Sequence, residues 1–393
     1  MQEIGSDFHL TTKEIKEFEE VLASTPELIR DEAEQVFFMS GRQGIRHCLQ
    51  DIEAEGLRLG RTGKKIALLP EYTCESLLAP FWAEGYDLAF YPVDQELTAS
   101  FRDLDRLIDE TGAGVLLVHP YFGFDTLREP EAFRKDRPGL KVLFDDTQSW
   151  AGTIRYPFWD YKIVSLRKWG PLPDGAAVWK KSAPFIVKAP SEENQRVLLS
   201  MKAAYRLKDD YLSGGSTTKQ ELLTAFRESN GLFSDLTPRT MSRYSRLVLD
   251  RFMKNQPAWQ AARQNNYRIL AGWPGWDRLG RVLYPELKEE VPLYFPVCLE
   301  DRSRLQQFLA GHGVFCPVIW PVPEPDPVPV VSATLARTRR CLLTIPIDQR
   351  YGTDDMERIL QLLDEFISQE LSGARTTWTS KQRVMREEPT QKN

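Results

Sequence analysis

Four polar side chains follow short apolar runs within residues 144–179, which read FDDTQSWAGTIRYPFWDYKIVSLRKWGPLPDGAAVW. Asp145 and Gln148 come after the run KVLF, and Ser165 and Lys168 come after the run KIV. In open α/β sheets, ligands bind outside the carboxyl ends of the parallel strands, where the loops converge. We therefore interpret these four residues as candidates for one site.

A lysine at a strand end can act as a nucleophile. Leu166, Trp169 and Gly170 flank Lys168, and we expect them to desolvate its amine in part, which makes deprotonation and Schiff-base formation easier. Pyridoxal phosphate requires such a lysine, an acid at its pyridine nitrogen and hydrogen-bond donors for its phosphate. Asp145 is the candidate acid, since it would keep the ring nitrogen protonated.

A candidate phosphate site lies at residues 40–44, SGRQG, which follow the apolar run FFM and begin a stretch with helical spacing. A helix start offers free N–H groups and the positive end of its dipole to a phosphate. Ser165, three residues before Lys168, offers a hydroxyl to the same phosphate. His119 ends another strand-like run, GVLLV, at the same expected edge of the sheet.

Each of these residues also has an ordinary structural interpretation. A lysine after a strand is most often a surface residue, and an Asp-Asp pair often caps a helix or forms a turn. A Ser-Gly pair before a helix is common capping. The hypothesis of a cofactor site therefore depends on the order and spacing of the whole set.

Positioning these residues requires an α/β sheet. Between residues 65 and 180, strand-length apolar runs occur in the order KIALLP, LAFYPVD, GVLLVHPYF, KVLFDD, KIVSLRK and GAAVWKK. Helical or polar segments such as ESLLAPFWAEG and FRDLDRLIDETG separate the earlier runs. This pattern is typical of strands covered on both faces by helices. A further helix is predicted near TTKEIKEFEEVLAS, with Thr11 as N-cap and Glu14 as its capping-box partner.

These patterns divide the chain into four segments. Residues 1–35 form an N-terminal helical segment, residues 36–250 a large cofactor-binding α/β domain, and residues 251–371 a smaller α+β domain. Residues 372–393 are polar and are expected to form a flexible tail. The proline-rich insert PVPEPDPVPV is expected to be an ordered loop or an extended segment.

Composition argues against several classes of protein. Of 393 residues, 42% are hydrophobic, and 56 acidic residues against 51 Lys plus Arg give a net charge of −5. A general nucleic-acid binder carries a clustered positive face, and none is evident. The start of the chain is unlike a signal peptide, and no apolar run approaches the roughly 20 residues needed to span a bilayer. We therefore expect a cytoplasmic protein with neither nucleic-acid nor membrane partners.

Histidines and cysteines predict neither a metal site nor a disulfide framework. The four histidines are scattered, and none stands in zinc-ligand spacing with a cysteine. The five cysteines are an odd number spread over a long chain. That distribution fits a reducing compartment.

Several segments together resemble a known family of enzymes. They are FFMSGRQGIRHCL, IALLPEYTCESLLAPFWAEGYDLAFYPVD, VLFDDTQSWAG, IVSLRKWGPLPDGAAVW and the closing LLTIPIDQRYGTDDMERILQLL. Over most of residues 36–370 the chain resembles the fold-type I pyridoxal-phosphate enzymes, and more closely the DegT-type sugar aminotransferases. The resemblance implies an α/β fold of the aspartate aminotransferase type. That fold has a mixed, mostly parallel seven-stranded sheet with helices on both faces and a smaller C-terminal α+β domain.

The resemblance also implies roles for individual residues. Lys168 would hold pyridoxal 5'-phosphate as a Schiff base and then move protons. Asp145 would bind the pyridine nitrogen, and Gln148 would approach the hydroxyl side of the ring. Ser165 and the amides near residues 41–42 would hold the phosphate. The unit would be a homodimer with its active sites at the subunit interface.

This chain departs from the family pattern at two cofactor-binding segments. The phosphate turn, often Gly-Ser/Thr-Ala in the family, is Gly41-Arg42-Gln43 here. Arg42 would either pair with the phosphate or point to solvent. Cys74 aligns with an aromatic residue that stacks on the ring in many members, and Tyr72 lies two residues before it. A buried structural cysteine is the alternative interpretation for Cys74.

Two further segments bear on the rest of the pocket. The stretch PRTMSRYSR, residues 238–246, is the counterpart we propose for an Asn-Tyr-Arg stretch that the partner subunit often contributes. His119 and Tyr121 follow the strand before Asp145, and either line the pocket or pack inside the fold.

The favoured function is an aminotransferase. It would move an amino group from a donor, glutamate or glutamine, to a carbonyl acceptor, with a nucleotide-linked keto-sugar of polysaccharide biosynthesis as the family default. The alternatives are another pyridoxal-phosphate reaction, such as elimination, racemisation or C–C bond chemistry, and a non-catalytic protein that retains the fold.

Overall fold

A computed structural model describes residues 3–24, 35–60, 63–133, 137, 139–154, 156–321 and 332–386, with side chains as far as residue 369. The proline-rich insert at residues 321–330 lies outside these residues, except for Pro321.

Twelve helices and twelve strands follow one another along the described chain. In chain order they are α1 (Thr12–Ser24), β1 (Gln35–Phe38), α2 (Gly41–Arg58), β2 (Ile66–Pro70), α3 (Glu75–Ala83), β3 (Asp87–Tyr91), β4 (Ala99–Ser100), α4 (Phe101–Thr111), β5 (Val115–Val118), β6 (Leu127–Arg128), β7 (Lys141–Asp145), β8 (Tyr161–Val164), β9 (Ala176–Lys180), α5 (Gln195–Leu212), α6 (Lys219–Gly231), α7 (Arg243–Met253), α8 (Gln256–Ala271), α9 (Trp276–Leu279), β10 (Gly280–Val282), β11 (Phe295–Leu299), α10 (Arg302–Gly311), α11 (Ala333–Cys341), β12 (Leu342–Ile345) and α12 (Thr353–Arg386). Among the described residues, no helix has the length and apolar character needed to cross a membrane.

Seven strands form the central sheet, in the order β1-β9-β8-β7-β5-β2-β3. The five strands β2, β3, β5, β7 and β8 are parallel, whereas β9 pairs antiparallel with β8 and with β1. Because β7 and β8 are parallel neighbours, with Asp145 opposite Ile163, their carboxyl ends lie at one edge of the sheet. The predicted mixed, mostly parallel seven-stranded sheet is confirmed.

Successive residues of the central strands pack into two separate apolar clusters. Leu116 and Phe144 belong to a cluster that includes buried side chains of the C-terminal part. Leu117 and Leu143 belong to a cluster with side chains of α2 and α3. Side chains alternate between the faces of a strand, so both faces of the sheet are buried.

Helix α2 packs directly on β9. A Cβ on Gly44 would lie 2.6 Å from Val178 Cγ2, so only glycine allows this approach without a shift. Asp51 of α2 is fully buried and accepts hydrogen bonds from Lys180 Nζ at 2.7 Å and Tyr161 OH at 2.8 Å. Burial alone would raise the pKa of Asp51, but these bonds and backbone N–H groups together lower it. This buried charge pair fixes the helix against the sheet.

The C-terminal part forms its own antiparallel sheet in the order β10-β11-β12, and α8 contacts α12. This arrangement matches the expected α+β organisation after residue 250, and the domain limits themselves stay a prediction. Helix α12 continues to Arg386, so the backbone of the segment predicted as a tail is helical as far as that residue.

The N-terminal segment is tied to both parts of the chain. The Thr11 N–H donates to Glu14 Oε2 at 2.8 Å, and the Glu14 N–H donates to Thr11 Oγ1 at 3.2 Å, which confirms the predicted capping box. Ile4 forms a parallel bridge with Val314, and its carbonyl accepts from the Phe315 N–H at 2.7 Å. Residues 3–11 therefore connect α1 to the C-terminal part.

A disulfide joins Cys298 of β11 to Cys341 at the end of α11, with the Cα atoms 4.7 Å apart. The cysteines were not expected to form a disulfide framework, and one pair of the five nevertheless forms a disulfide. The two cysteines are 43 residues apart in sequence, and they become neighbours only because β11 pairs with β12, where Cys298 lies opposite Leu342. The number and spacing of the cysteines therefore do not predict this pairing.

We expect reduction of this bond to lower the free energy of unfolding by about 2–4 kcal/mol, because the disulfide restricts the unfolded chain. Urea unfolding with and without a phosphine reductant measures the effect. In Cys298→Ser the reductant should have no effect, whereas Cys316→Ser should retain the wild-type response. Equal unfolding midpoints of the wild type with and without reductant would contradict the prediction.

Candidate active site

The structure brings Asp145, Gln148, Ser165 and Lys168 to the wall of one cavity of about 200 Å³. Asp145 ends β7, Ser165 follows β8, and Lys168 ends a single 3₁₀ turn, Leu166–Lys168. Since β7 and β8 are parallel neighbours, these loops converge as predicted. Four other residues singled out in the sequence also line the cavity: Gly41, Arg42, Cys74 and His119.

Asp145 lies deep in the protein but faces the open cavity. Its Oδ1 accepts a hydrogen bond from the Thr147 N–H at 3.0 Å. Burial raises the pKa of Asp145, and the hydrogen bonds from Thr147 and the charge of Lys168 offset that rise only in part. The carboxyl group therefore holds a proton more strongly than a free aspartate does, close to an amine.

Gln148 is held in one orientation. Its Oε1 accepts from the Phe122 N–H at 2.7 Å, which leaves the amide NH₂ to donate elsewhere. The neighbouring Asp146 is buried, does not line the cavity, and accepts from Ser149 Oγ at 2.5 Å. Asp145 is thus the acid that shares the cavity with Gln148.

Lys168 lines the cavity and is exposed, so the partial desolvation expected for its amine stays a prediction. Its turn is nevertheless close to the start of α2, because a Cβ placed on Gly41 would lie 3.4 Å from Ser165 Cβ. The Ser165 N–H donates to Thr147 Oγ1 at 2.9 Å. The helix start, Ser165 and Lys168 therefore share one side of the cavity.

Two arginines face this region without a close carboxylate. Arg42 and Arg167 both line the cavity, and among the described residues neither forms an ion pair within 4 Å. Arg167 donates to Asn230 Oδ1 at 2.9 Å and lies 3.7 Å above the Phe233 ring. Burial lowers the pKa of both. For Arg167, the charges of Asp7 and Asp174 oppose that effect, and the charge of Arg42 adds to it. Two arginines beside a helix start, neither in an ion pair among the described residues, are a candidate anion site.

Sequence reasoning missed Arg167, although it directly precedes Lys168. A short turn places both side chains at the cavity. The presence of two adjacent cations directly after a strand is the sequence signal that could have identified Arg167. Thr147, Phe122 and Tyr294 also line the cavity and were not singled out as ligands.

Gln43 and Tyr72, both candidates for cofactor binding, do not line the cavity with their side chains. Gln43 Nε2 donates to the carbonyls of Asp235 at 3.0 Å and Thr237 at 2.7 Å, which ties α2 to a neighbouring loop. Tyr72 OH donates to the Ile319 carbonyl at 2.9 Å. Both side chains are buried and support the cavity wall from outside.

Cys74 and His119 are on the cavity wall. Cys74 Sγ lies 3.0 Å from Ser76 Oγ, at the start of α3. The His119 ring meets the rings of Tyr121 and Trp320 edge-on, with centroids 4.5 and 5.5 Å apart. Burial lowers the pKa of His119 to about 4, so this ring is neutral at pH 7.

Residues 238–246 pack partly against their own chain. Tyr244 is almost completely buried, and Arg246 is largely buried. Ser242 Oγ donates to Asp174 Oδ1 at 2.7 Å. Arg243 of the same segment is exposed, and the assignment of this segment to a partner's active site stays a prediction.

A larger cavity of about 550 Å³ adjoins the first and shares Ser165, Arg167, Lys168, Leu293 and Tyr294 with it. Its other walls come from the N-terminal segment and the C-terminal part, and include Asp7, Arg263, Asp348 and Arg350. Lys168 therefore lies where the smaller cavity meets the larger one. Within the described residues, no group of three or more His, Cys, Asp or Glu side chains is arranged to hold a metal ion.

No protein-family model matches the sequence, and no curated protein matches it. Solved structures do match. The chain is similar to a DegT DnrJ EryC1 StrS aminotransferase from Brucella abortus at 15% identity and a TM-score of 0.58, covering 91% of each chain. It is similar to DesI, crystallised in the presence of its TDP-sugar product, at 17% identity and a TM-score of 0.59, covering 92% of this chain and 87% of that one.

It is also similar to NtdA from Bacillus subtilis with bound cofactor PMP, at 14% identity and a TM-score of 0.60, covering 92% of this chain and 78% of that one. The fold is therefore that of the aspartate aminotransferase-type enzymes that use pyridoxal phosphate. Within that class it is the fold of the DegT-type aminotransferases, which confirms the resemblance at the level of the fold.

The neutral state of His119 makes stability depend on pH. Its folded pKa of about 4 is below the ordinary 6.5, so its contribution is complete above pH 6.5 and is lost as the pH falls towards 4. We expect the loss of unfolding free energy between pH 7 and 4.5 to be about 2 kcal/mol smaller in His119→Phe than in the wild type. Urea unfolding at both pH values measures it. His312→Asn, at an exposed histidine, is the control, and an unchanged pH dependence in His119→Phe would contradict the prediction.

Proposed function

We propose that this chain is a pyridoxal-phosphate-dependent aminotransferase of the DegT type. The observation that carries the proposal is the content of one cavity: Lys168 and Asp145 stand beside an anion site made by Arg42, Arg167 and the start of α2. These are the amine, the acid and the phosphate donors that the cofactor requires. A fold shared with NtdA, whose structure holds bound PMP, supports the same cofactor.

The residues present fit the charges of the cofactor. A phosphate would carry about two negative charges, and it would neutralise the two guanidinium groups, which otherwise repel each other. Ser165 and the free N–H groups at the start of α2 would add neutral donors. On the other side, the Asp145 carboxyl would pair with a protonated ring nitrogen.

Bound pyridoxal phosphate supplies an aldehyde that condenses with amines and a ring that withdraws electrons. The residues of this chain would do the remaining work. Asp145 would hold the proton on the ring nitrogen, and its raised pKa makes it a strong acceptor of that hydrogen bond. The Gln148 NH₂ would donate towards the ring, because its oxygen is engaged by Phe122. Lys168 would take and return the proton at the substrate α-carbon, which its exposed position permits.

The larger cavity is the proposed site for the two substrates. Its volume of about 550 Å³ is within the range of small-molecule sites, and it opens onto Lys168. The acceptor we favour is a keto-sugar, with or without a linked nucleotide, and the structure of DesI in the presence of its TDP-sugar product supports this class. Glutamate or glutamine would be the amino donor. We further propose a cytoplasmic homodimer that acts in polysaccharide biosynthesis.

The first test concerns Lys168. In the wild type incubated with pyridoxal phosphate, borohydride should fix the cofactor to the peptide that contains Lys168. Lys168→Ala should show no such adduct and should lose amino transfer by about 10³-fold or more, because the proton carrier is gone. Visible absorbance and peptide mass spectrometry measure both effects.

Lys188→Ala, at an exposed lysine outside both cavities, should behave as the wild type. A borohydride adduct on another lysine in Lys168→Ala would reject the assignment. If amino donors left the absorbance of the wild type unchanged while elimination or racemisation products formed, the aminotransferase proposal would fail and the cofactor proposal would stand.

The second test concerns the anion site. Arg42→Gln and Arg167→Gln should each weaken binding of pyridoxal phosphate by about tenfold, since each removes a charge-assisted hydrogen bond. Affinity for pyridoxal, which lacks the phosphate, should change less than about threefold. Absorbance titrations measure the two affinities. Arg196→Gln, at an exposed arginine of α5, is the matched control, and equal losses for both ligands would contradict a phosphate role.

A further inference from the structure

Thr147 lies in the turn after β7, between Asp145 and Gln148, and it lines the smaller cavity. Its side chain is half-buried. The functions proposed above give it no task, although its neighbours on both sides have one. Its hydrogen bonds connect it to the rest of the site.

Each polar group of Thr147 contacts a different part of the site. The N–H donates to Asp145 Oδ1 at 3.0 Å. The hydroxyl oxygen accepts from the Ser165 N–H at 2.9 Å, and the carbonyl accepts from Trp169 Nε1 at 2.7 Å. One residue therefore joins the acid on β7 to the serine after β8 and to the residue that follows Lys168.

Trp169 transmits this connection to Lys168. Its ring is completely buried, with the Arg263 guanidinium 4.8 Å from its centre. The backbone N–H of Trp169 donates to the Leu166 carbonyl at 3.1 Å, which closes the turn that carries Lys168. The backbone carbonyl of Trp169 accepts from Gln349 Nε2 at 2.7 Å. The indole is thus fixed on several sides, and Thr147 supplies the acceptor for its N–H.

The hydroxyl of Thr147 has a second role. Because its oxygen accepts from the Ser165 N–H, its own proton is free to donate. The side chain and the N–H of Thr147 both lower the pKa of Asp145 and so oppose the effect of burial. A side chain of the same shape without a hydroxyl would leave the Ser165 N–H unpaired and the acid less stabilised.

We infer that Thr147 is a positioning residue, which holds Asp145, Ser165 and the Lys168 turn in one fixed arrangement for the cofactor. This inference rests on the proposed function for its purpose, but the hydrogen bonds themselves do not. Two substitutions separate the roles of shape and hydroxyl at this position: Thr147→Val keeps the branched shape, and Thr147→Ser keeps the hydroxyl.

The test compares Thr147→Val, Thr147→Ser and Thr147→Ala with the wild type. The first measurement uses the cofactor-free protein: NMR titration of ¹³C-labelled aspartate carboxyl groups, with the Asp145 signal assigned by its loss in Asp145→Asn. We expect the titration of Asp145 to move up by about half a pH unit or more in the valine and alanine variants and to stay near wild type in the serine variant. The charge of Lys168, which lowers the pKa of Asp145, is present in all of these variants.

The second measurement is the affinity for pyridoxal phosphate, which should fall about five- to tenfold in Thr147→Val and recover in Thr147→Ser. The charged groups lining the same cavity, Arg42 and Arg167, and neutral His119 are unchanged in all variants. Thr111→Val removes a hydroxyl that donates to the Leu107 carbonyl within α4, and it should shift neither measurement.

An Asp145 titration in Thr147→Val and Thr147→Ala equal to that of the wild type would overturn the inference, even if both variants melted earlier. A serine variant as impaired as the valine variant would overturn it too, because shape and not the hydroxyl would then matter. A wild type that binds no pyridoxal phosphate would reject the proposed function, while the titration of the cofactor-free protein would still decide the role of Thr147.

Discussion

The parallel pairing of β7 with β8 is the constraint on which the rest of the site depends. It places the carboxyl ends of the two strands side by side, with Asp145 opposite Ile163. Ser165 and the turn to Lys168 follow immediately, so an acid and an amine from separate loops reach one cavity. Antiparallel pairing would send the two loops to opposite edges of the sheet. The strands are packed on both faces, and a one-residue slip would exchange the side chains of the two faces and disrupt their close packing against the elements on either side.

Charged side chains have different partners near the middle of α2 and at its start. Near the middle of the helix, Asp51 and Lys180 are buried as a pair with further hydrogen bonds, so neither charge is left buried without a partner. At the start of the helix, Arg42 and its neighbour in space Arg167 have no carboxylate within ion-pair distance among the described residues, and each has a lowered pKa. Unpaired cations of this kind cost stability unless an anion binds. That cost is consistent with a site built for a ligand.

The site also depends on segments far from it in sequence. Trp169 is held from the C-terminal part by Arg263 and Gln349, and from β7 by Thr147. The walls of the larger cavity include residues 5–8 and residues of the loop between β12 and α12, such as Asp348 and Arg350. Changes in the C-terminal part can therefore reach Lys168 through one buried indole.

Local patterns in the sequence predicted the local elements, an α/β sheet and the candidates Asp145, Gln148, Ser165 and Lys168, because apolar periodicity and strand-end polarity depend on neighbouring residues. The same kind of pattern predicted the capping box at Thr11, which is a contact over three residues. The mixed, mostly parallel arrangement of seven strands was implied by the resemblance to the family. Tertiary structure alone decided which polar residues turn away, such as Gln43, and which join the site, such as Arg167. It also paired Cys298 with Cys341 and left Lys168 exposed. These outcomes depend on contacts between segments tens to hundreds of residues apart, which no local pattern records.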